Sequence, residues 1–316
     1  VHRIAILEPT TLLGRELKEH LERHPELVRD LRLLTSDEED FGTLTEVAGA
    51  AALVARADAE ALADLDLIFV CGDLAPSRRV LERLPEGATA ILLSPDATLA
   101  EGRPAVTGIN PEVLERGATL LSPQPAAVLL SHLLHALADL VPLQAAATVI
   151  QPVSVYGDPG VDELLEQSRQ ILAMAGPPSG GLFGGQLAFN VLPGAVDSQG
   201  VAGQVRQVLD ASWPLAVEVL QGAVFHGMTA SLWIELGGST DPRVVEDALL
   251  ISPWVERAEE PDSLGPVVSA TESRILLGGV RADGGRPGGF WIRTVMDNLT
   301  RGGALNALEL AATVLS

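Results

Sequence analysis

Cysteine is nearly absent from this chain of 316 residues. Cys71 stands alone, which excludes an intrachain disulfide and any cysteine-based metal cluster. Lysine is equally scarce: of 21 basic residues only Lys18 is lysine. It lies in the helical stretch GRELKEHLERH, so Schiff-base chemistry has almost nowhere to reside. Positive charge is in deficit overall, with 42 acidic residues and a net charge of −21. That balance argues against nucleic-acid or anionic-membrane partners held on a basic face and fits a solvated acidic surface. Also missing is any apolar run near the about 20 residues needed to cross a bilayer. The opening VHRIAILEP reads as a strand and lacks the layout of a signal peptide, so a soluble, cytoplasmic protein is expected. The six histidines are scattered, and only His132 and His135 share a helical spacing, without an H-E-x-x-H pattern. We read that pair as helix-surface histidines and expect no metal site.

What the chain does have is a 47% hydrophobic composition over a length that suits two domains. The first stretch of about 120 residues alternates apolar strands with amphipathic helices, the pattern of a parallel sheet wound by helices. HRIAIL (2–7), LRLLT (31–35), DLIFVC (66–71), ATAILLS (88–94) and GATLLS (117–122) read as strands. LLGRELKEHLERH (12–24) and APSRRVLERL (75–84) read as helices. This order predicts a Rossmann-type α/β domain, with ligands expected beyond the carboxyl ends of its strands. From about residue 145 the character changes. AATVIQPVSVYG (146–157), LAVEVLQGAVFHGMTASLWIEL (215–236) and ILLGGVRAD (275–283) alternate like antiparallel strands with one covered face. Helices are expected at 161–174 and 199–211, a glycine-rich loop at 176–185, and a closing helix from 298 to 316.

Four stretches, in order, resemble the aspartate-semialdehyde dehydrogenase family. WIRTVMDNLTRGGALNALELA (291–311) is similar to that family's closing W-x-V-x-D-N-L-x-K-G-A-A-L-N-A. QPVSVYGDPGVDELLEQSRQIL (151–172) resembles its Q-A-V-S-G-A-G strand and following helix, QLAFNVLP (186–193) its A-F-N-V-I-P, and LGGVRAD (277–283) its G-R-I-R. The resemblance implies a nucleotide-binding domain over 1–125 completed by 298–316, and an α+β dimerisation and substrate domain over 126–297. It further implies a homodimer and NADP-dependent reductive dephosphorylation of β-aspartyl phosphate. In that reaction a cysteine forms a thioester, a histidine handles the proton, and arginines hold the carboxylate and phosphate.

Aligned on these motifs, the chain departs from the family at almost every chemical position. The nucleophile's place falls on Pro125 within SPQPA (122–126), and proline offers neither a nucleophile nor a backbone N–H for an oxyanion. It does suit the first turn of a helix, which is our reading of it. Ser122 is the only nearby hydroxyl, and an unactivated serine needs an adjacent base. In VEVLQGAVFHGMTAS the family's arginine aligns with Gln221 and its histidine with Met228. His226 lies two positions before Met228 and would share its face on a strand, which makes it the one candidate to replace the acid/base group. An ordinary pocket or surface histidine is the favoured reading. The family's lysine would fall near Ser198 and Gly200, where none exists, and Arg103 is the nearest cation to the loop that should carry an arginine. Gln151 matches the family glutamine that contacts the acyl intermediate.

The cofactor motif has changed as well. Where the family has G-x-T-G-x-V-G, this chain reads EPTTLLG (8–14), keeping only the helix-packing Gly14. Glu8 would set a carboxylate against a pyrophosphate, and Pro9 removes a donor. Asp37, Glu38, Glu39 and Asp40 follow the second strand and would repel a 2′-phosphate, so NAD suits the chain better than NADP. Thr10, Thr11, Gly14, Gly72 and Asn298 remain as the candidate dinucleotide contacts, and no bound cofactor is expected. Cys71 reads as a small apolar filler. The expectation is a non-catalytic family member that keeps fold and dimer. The alternatives are a divergent NAD(P)-dependent oxidoreductase acting on an aldehyde or acyl substrate, and a metabolite-binding or protein-docking module whose cleft Gln151, Gln221, His226 and Met228 would line.

Overall fold

The runs IAIL (4–7) and LIFV (67–70) are apolar at every position, as strands covered on both faces must be. They lie at the centre of a seven-stranded parallel sheet. The computed structural model describes residues 2–47, 49–178, 180–194, 196–238 and 241–316. The chain forms two units, Val1–Gln124 with Gly303–Ser316, and Pro125–Gly302.

In the first unit β1 (His2–Leu7) leads through α1 (Leu12–Glu22) to β2 (Val28–Thr35). A small antiparallel hairpin follows, β3 (Leu44–Val47) and β4 (Ala50–Leu53), which the sequence pattern had not indicated. Then come β5 (Ala55–Arg56), α2 (Ala59–Leu62), β6 (Leu67–Val70), α3 (Leu74–Leu81), β7 (Thr89–Leu92), β8 (Arg103–Pro104) and β9 (Thr119–Leu121). The sheet order is β5-β2-β1-β6-β7-β9-β8, so the winding reverses between β1 and β6. That switch point, at the carboxyl ends of the strands, is where a Rossmann sheet opens a crevice. The C-terminal helix, Asn306–Leu315, packs Ala307, Leu308 and Ala311 into the same core as Ile4, Ile6, Leu17 and Phe69.

The second unit opens with α4 (Pro125–Ala136) and β10 (Pro142–Gln151), then α5 (Gly157–Leu172), β11 (Val191–Pro193) and α6 (Ser198–Leu209). It continues with β12 (Leu215–Gly222), β13 (Met228–Leu236), α7 (Pro242–Ile251), β14 (Val255–Arg257), β15 (Ile275–Ala282) and β16 (Gly289–Met296). Its sheet runs β11-β12-β10-β13-β16-β15-β14. The expectation of antiparallel strands holds for β10–β13, β11–β12, β13–β16 and β15–β16 and needs correcting for two pairs, because β10 pairs with β12 and β14 with β15 in parallel. Alternation reports which face of a strand is covered and carries no information on strand direction. The run read as one strand over 215–236 is two, broken at 223–227. Both helices end earlier than their amphipathic pattern extended: Met174 (φ 52°), just past α5, and Asp210 (φ 47°), the C-cap of α6, turn left-handed.

The inner face of this sheet packs Val149, Val219, Leu232, Ile292 and Leu277 against Leu129, Leu133, Val205 and Leu249 of the helices. Each such side chain contributes about 1.5–3 kcal/mol on full burial. The other face carries exposed Ala146, Thr148, Ala216, Glu218 and Arg293, and on it half-buried Trp233 and Trp291 stand directly opposite each other in register. Residues 298–302 belong to this unit, whereas the resemblance implied that 298–316 would complete the first one. The carboxylate of Asp297 holds Thr271 N at 2.8 Å, and the amide of Asn298 holds Gly227 N at 3.0 Å, which ties the segment to the second unit.

Candidate functional site

At the switch point of the first unit a side chain lies where a nucleotide crevice is expected. Glu8 follows β1 directly and has φ 61°, a left-handed conformation that costs a non-glycine residue about 1–2 kcal/mol. Its carboxylate accepts hydrogen bonds from Thr35 Oγ1 at 2.7 Å, Ser36 N at 2.8 Å and Ser36 Oγ at 2.7 Å. Hydrogen bonds to a charged group contribute about 1.5–3 kcal/mol each, so the three outweigh the backbone strain. The methylene stem lies over Gly72, where any Cβ would come within 2.5 Å of Glu8 Cγ. Gly14 is a packing glycine, since a Cβ there would meet Glu8 O at 2.5 Å.

The turn that should cradle phosphate is spent on the protein itself. Thr11 caps α1, accepting from Gly14 N at 3.1 Å and donating to Glu8 O at 3.0 Å. Thr10 Oγ1 donates to Asp40 Oδ2 at 2.9 Å, which tethers the acidic loop, and Glu38 pairs with Arg56. A dinucleotide needs bare amides at the helix start and room above the glycine that follows β6. Here Glu8 fills the room above Gly72 and Thr11 Oγ1 accepts from the Gly14 amide. Cys71 is buried beside them. Burial, and secondarily the Glu8 charge, push its thiol far above the ordinary range, which leaves it protonated and inert. Ser122, also buried, accepts at Oγ from Asn306 Nδ2 at 2.9 Å, while Asn306 Oδ1 accepts from Thr107 N at 3.0 Å. Among the described residues no histidine bonds to Ser122.

In the second unit Gln151 and Gln221 are register partners on parallel β10 and β12, and each is 2% exposed. Gln151 Nε2 donates to Gln221 Oε1 at 2.9 Å and to Tyr156 Oη at 3.3 Å. Gln221 Nε2 donates to the carbonyls of Gln151 and Gly222, both at 3.1 Å. The two amides bond to each other and to the main chain rather than facing an opening.

Met228 opens β13 and is 1% exposed in the hydrophobic core. His226 is exposed in the turn before it, not on the strand. Gly227 (φ 81°) sits between the two and breaks the alternation on which a shared face depended. Of the four residues proposed to line one cleft, Gln151, Gln221 and Met228 share one end of the sheet, where the register that pairs Ile150 with Thr229 brings Gln151 opposite Met228, and His226 lies in the exposed turn before β13. Asn298, a candidate cofactor contact, instead bonds Gly227 N and donates to Ser154 Oγ at 3.0 Å. Pro125 is the first residue of α4 and packs on Gly302, where a Cβ would lie 2.8 Å from Pro125 Cβ.

His132 corrects a further reading. It is not on a helix surface but 1% exposed, stacked on Trp254 with ring centroids 4.8 Å apart. Burial first, then the charges of Arg301 and His135, hold it well below the usual imidazole range. His135 is exposed. Among the described residues no group of three or more His, Cys, Asp or Glu is placed to hold a metal ion, and no helix is long and apolar enough to cross a membrane.

Residues 134–301 match the dimerisation domain of semialdehyde dehydrogenases. Along the whole chain, the USG-1 protein homologue of Azotobacter vinelandii is 31% identical, covering 99% of this chain and 97% of its own. The chain belongs to the aspartate-semialdehyde dehydrogenase family. A probable aspartate-semialdehyde dehydrogenase from Pseudomonas aeruginosa superimposes with a TM-score of 0.88 at 27% identity, covering 98% of this chain and 97% of its own. The aspartate-semialdehyde dehydrogenase of a Synechocystis species is 23% identical over 98% of this chain and 96% of its own.

Of the positions that the sequence motifs single out, Pro125 opens α4, Met228 lies in the core and Gln221 is a buried amide. Sequence reasoning missed Thr35 and Ser36, whose hydroxyls meet Glu8 across 27 and 28 residues. No local pattern marks such a pair. It also missed the burial of His132, although PAAVLLSHLLHA is apolar on nearly every side and signals a buried helix.

Proposed function

We propose that this chain is a non-catalytic member of the family that keeps the two-unit fold and the homodimer and works without a dinucleotide. The observation that carries the reading is the burial of Gln221, at the substrate-clamp position, against Gln151. A carboxylate substrate needs a guanidinium or ammonium there, and a pair of neutral amides already bonded to each other offers neither charge nor a free donor. The departures at Pro125 and Met228 support the same reading, because removing a nucleophile or its base costs orders of magnitude in rate. The test is NADP-dependent oxidation of aspartate semialdehyde in the presence of phosphate, followed at high enzyme concentration. No turnover above the buffer blank is expected with NAD or NADP, and any saturable, enzyme-dependent rate would overturn the reading.

The homodimer is supported by the match of 134–301 to a dimerisation domain and by the sheet face that bears Trp233 and Trp291. A row of register partners, Ala216, Ala146, Trp233, Trp291 and Arg281, crosses that face with small residues beside the two indoles. Such a row accepts a second copy of itself about a two-fold axis. Light scattering is expected to give a dimer at micromolar concentration, and Ala146→Arg, which puts a charge into the row, is expected to give a monomer. A monomeric wild type would refute the assembly.

A further inference from the structure

The strongest unassigned feature of the molecule is the engagement of Glu8 by Thr35 and Ser36. In a dinucleotide site a carboxylate at this end of the sheet receives two hydroxyls, those of the adenosine ribose. Here a carboxylate also receives two hydroxyls, one on each oxygen: Thr35 Oγ1 on Oε2 and Ser36 Oγ on Oε1, both at 2.7 Å. All the partners come from the protein. The carboxylate comes from the end of β1 and the hydroxyls from the end of β2, and Ser36 N adds a third donor at 2.8 Å. The stem of Glu8 covers Gly72 just beyond β6, so the side chain links the carboxyl ends of β2, β1 and β6.

We propose that Glu8 is a built-in occupant of the nucleotide crevice, and that its side chain keeps dinucleotides out of the unit by filling the room above Gly72. The proposal rests on the non-catalytic reading and deepens it, since it names what keeps the cofactor out. The backbone at position 8 already has the left-handed conformation that glycine adopts without strain (φ 61°), so the fold stands when the side chain is taken away. Removing it uncovers Gly72 and frees the donors of Thr35 and Ser36. The run of Asp37, Glu38, Glu39 and Asp40 stays beside them, so the emptied crevice takes a ligand with a free ribose diol in preference to one with a 2′-phosphate.

Isothermal titration calorimetry of the 316-residue chain with NAD and NADP tests this. The wild type is expected to show no saturable binding up to about 5 mM, which bounds its affinity below about 3 kcal/mol. Glu8→Gly is expected to bind NAD with a dissociation constant of about 1 mM or lower, and NADP at least about tenfold more weakly. Glu8→Gln keeps the shape of the plug without its charge and is expected to remain silent, which separates occupancy from repulsion. Glu8→Asn, which tolerates the left-handed backbone and is too short to reach Ser36, is expected to bind like Glu8→Gly. Circular dichroism and thermal unfolding check that each variant is folded. The proposal is overturned if the wild type binds NAD, if folded Glu8→Gly and Glu8→Asn are both silent, if Glu8→Gln binds as they do, or if neither variant folds. Because the readout is binding, a wild type that binds NAD without turnover sinks the plug and spares the non-catalytic reading.

Discussion

Acidification from pH 6.5 to pH 4.5 is expected to cost the wild-type second unit up to about 2 kcal/mol more stability than it costs a His132→Phe variant. The imidazole of His132 is buried in α4 with its ring against Trp254. Neither Nδ1 nor Nε2 has a hydrogen-bond partner among the described residues. Burial opposes protonation most, and Arg301 and His135 oppose it further, so the folded state keeps the ring neutral well below the usual imidazole range. In the unfolded chain the same ring titrates near pH 6.5.

The sign follows from which state holds the proton. Below pH 6.5 the unfolded state binds a proton that the folded state refuses, so stability rises with pH and is lost as pH falls. The loss amounts to about 1.4 kcal/mol for each pH unit until the folded ring itself titrates. The contribution is fully present above pH 6.5. Phenylalanine keeps the ring and the stack and cannot titrate. Its stability at pH 7 is not the diagnostic, because it removes two unsatisfied nitrogens and adds volume, and these effects oppose each other. Urea unfolding of both proteins at a series of pH values separates the slopes. Parallel profiles would mean that His132 is solvated or partnered in solution.

The parallel sheet of the first unit was legible because its strands carry their burial in composition: Ile4–Leu7, Leu67–Val70 and Thr89–Leu92 are buried at every position, and uninterrupted apolar runs say so. The second sheet was legible by face and not by direction, since Val217 and Val219 alternate with Ala216 and Glu218 whichever way β12 runs. The family was legible because the segments that carry the resemblance are knots of the fold. Asp297 and Asn298 of the closing motif bond Thr271, Leu299, Thr300, Gly227 and Ser154. The site was less legible, because its residues act through tertiary contacts. A glutamate following a strand reads as a repulsive charge until the hydroxyls of Thr35 and Ser36 are seen beside it. A histidine two positions from a strand reads as its neighbour until Gly227 turns the chain.

The sealed amide pair makes the largest single-residue prediction for stability. Gln221→Leu is expected to destabilise the second unit by about 2–4 kcal/mol, because each buried polar group left without a partner costs about 1–3 kcal/mol. The substitution removes the acceptor of Gln151 Nε2, leaving it the 3.3 Å contact to Tyr156, and strips the side-chain donor from the carbonyls of Gln151 and Gly222. Gln151→Leu alone is expected to cost less, since Gln221 Nε2 keeps both carbonyls, and the losses are the donor to Gln221 Oε1 and the 3.3 Å contact to Tyr156 Oη. When both are leucine there is no amide left to orphan, so the double variant is expected to cost about 1–2 kcal/mol less than the sum of the singles. An open substrate cleft predicts the opposite behaviour. Water would satisfy whatever a single truncation exposed, each variant would lie within about 0.5 kcal/mol of the wild type, and the two effects would add. Denaturant unfolding of the four proteins therefore decides between a pocket that still faces solvent and one whose clamp has become part of the core.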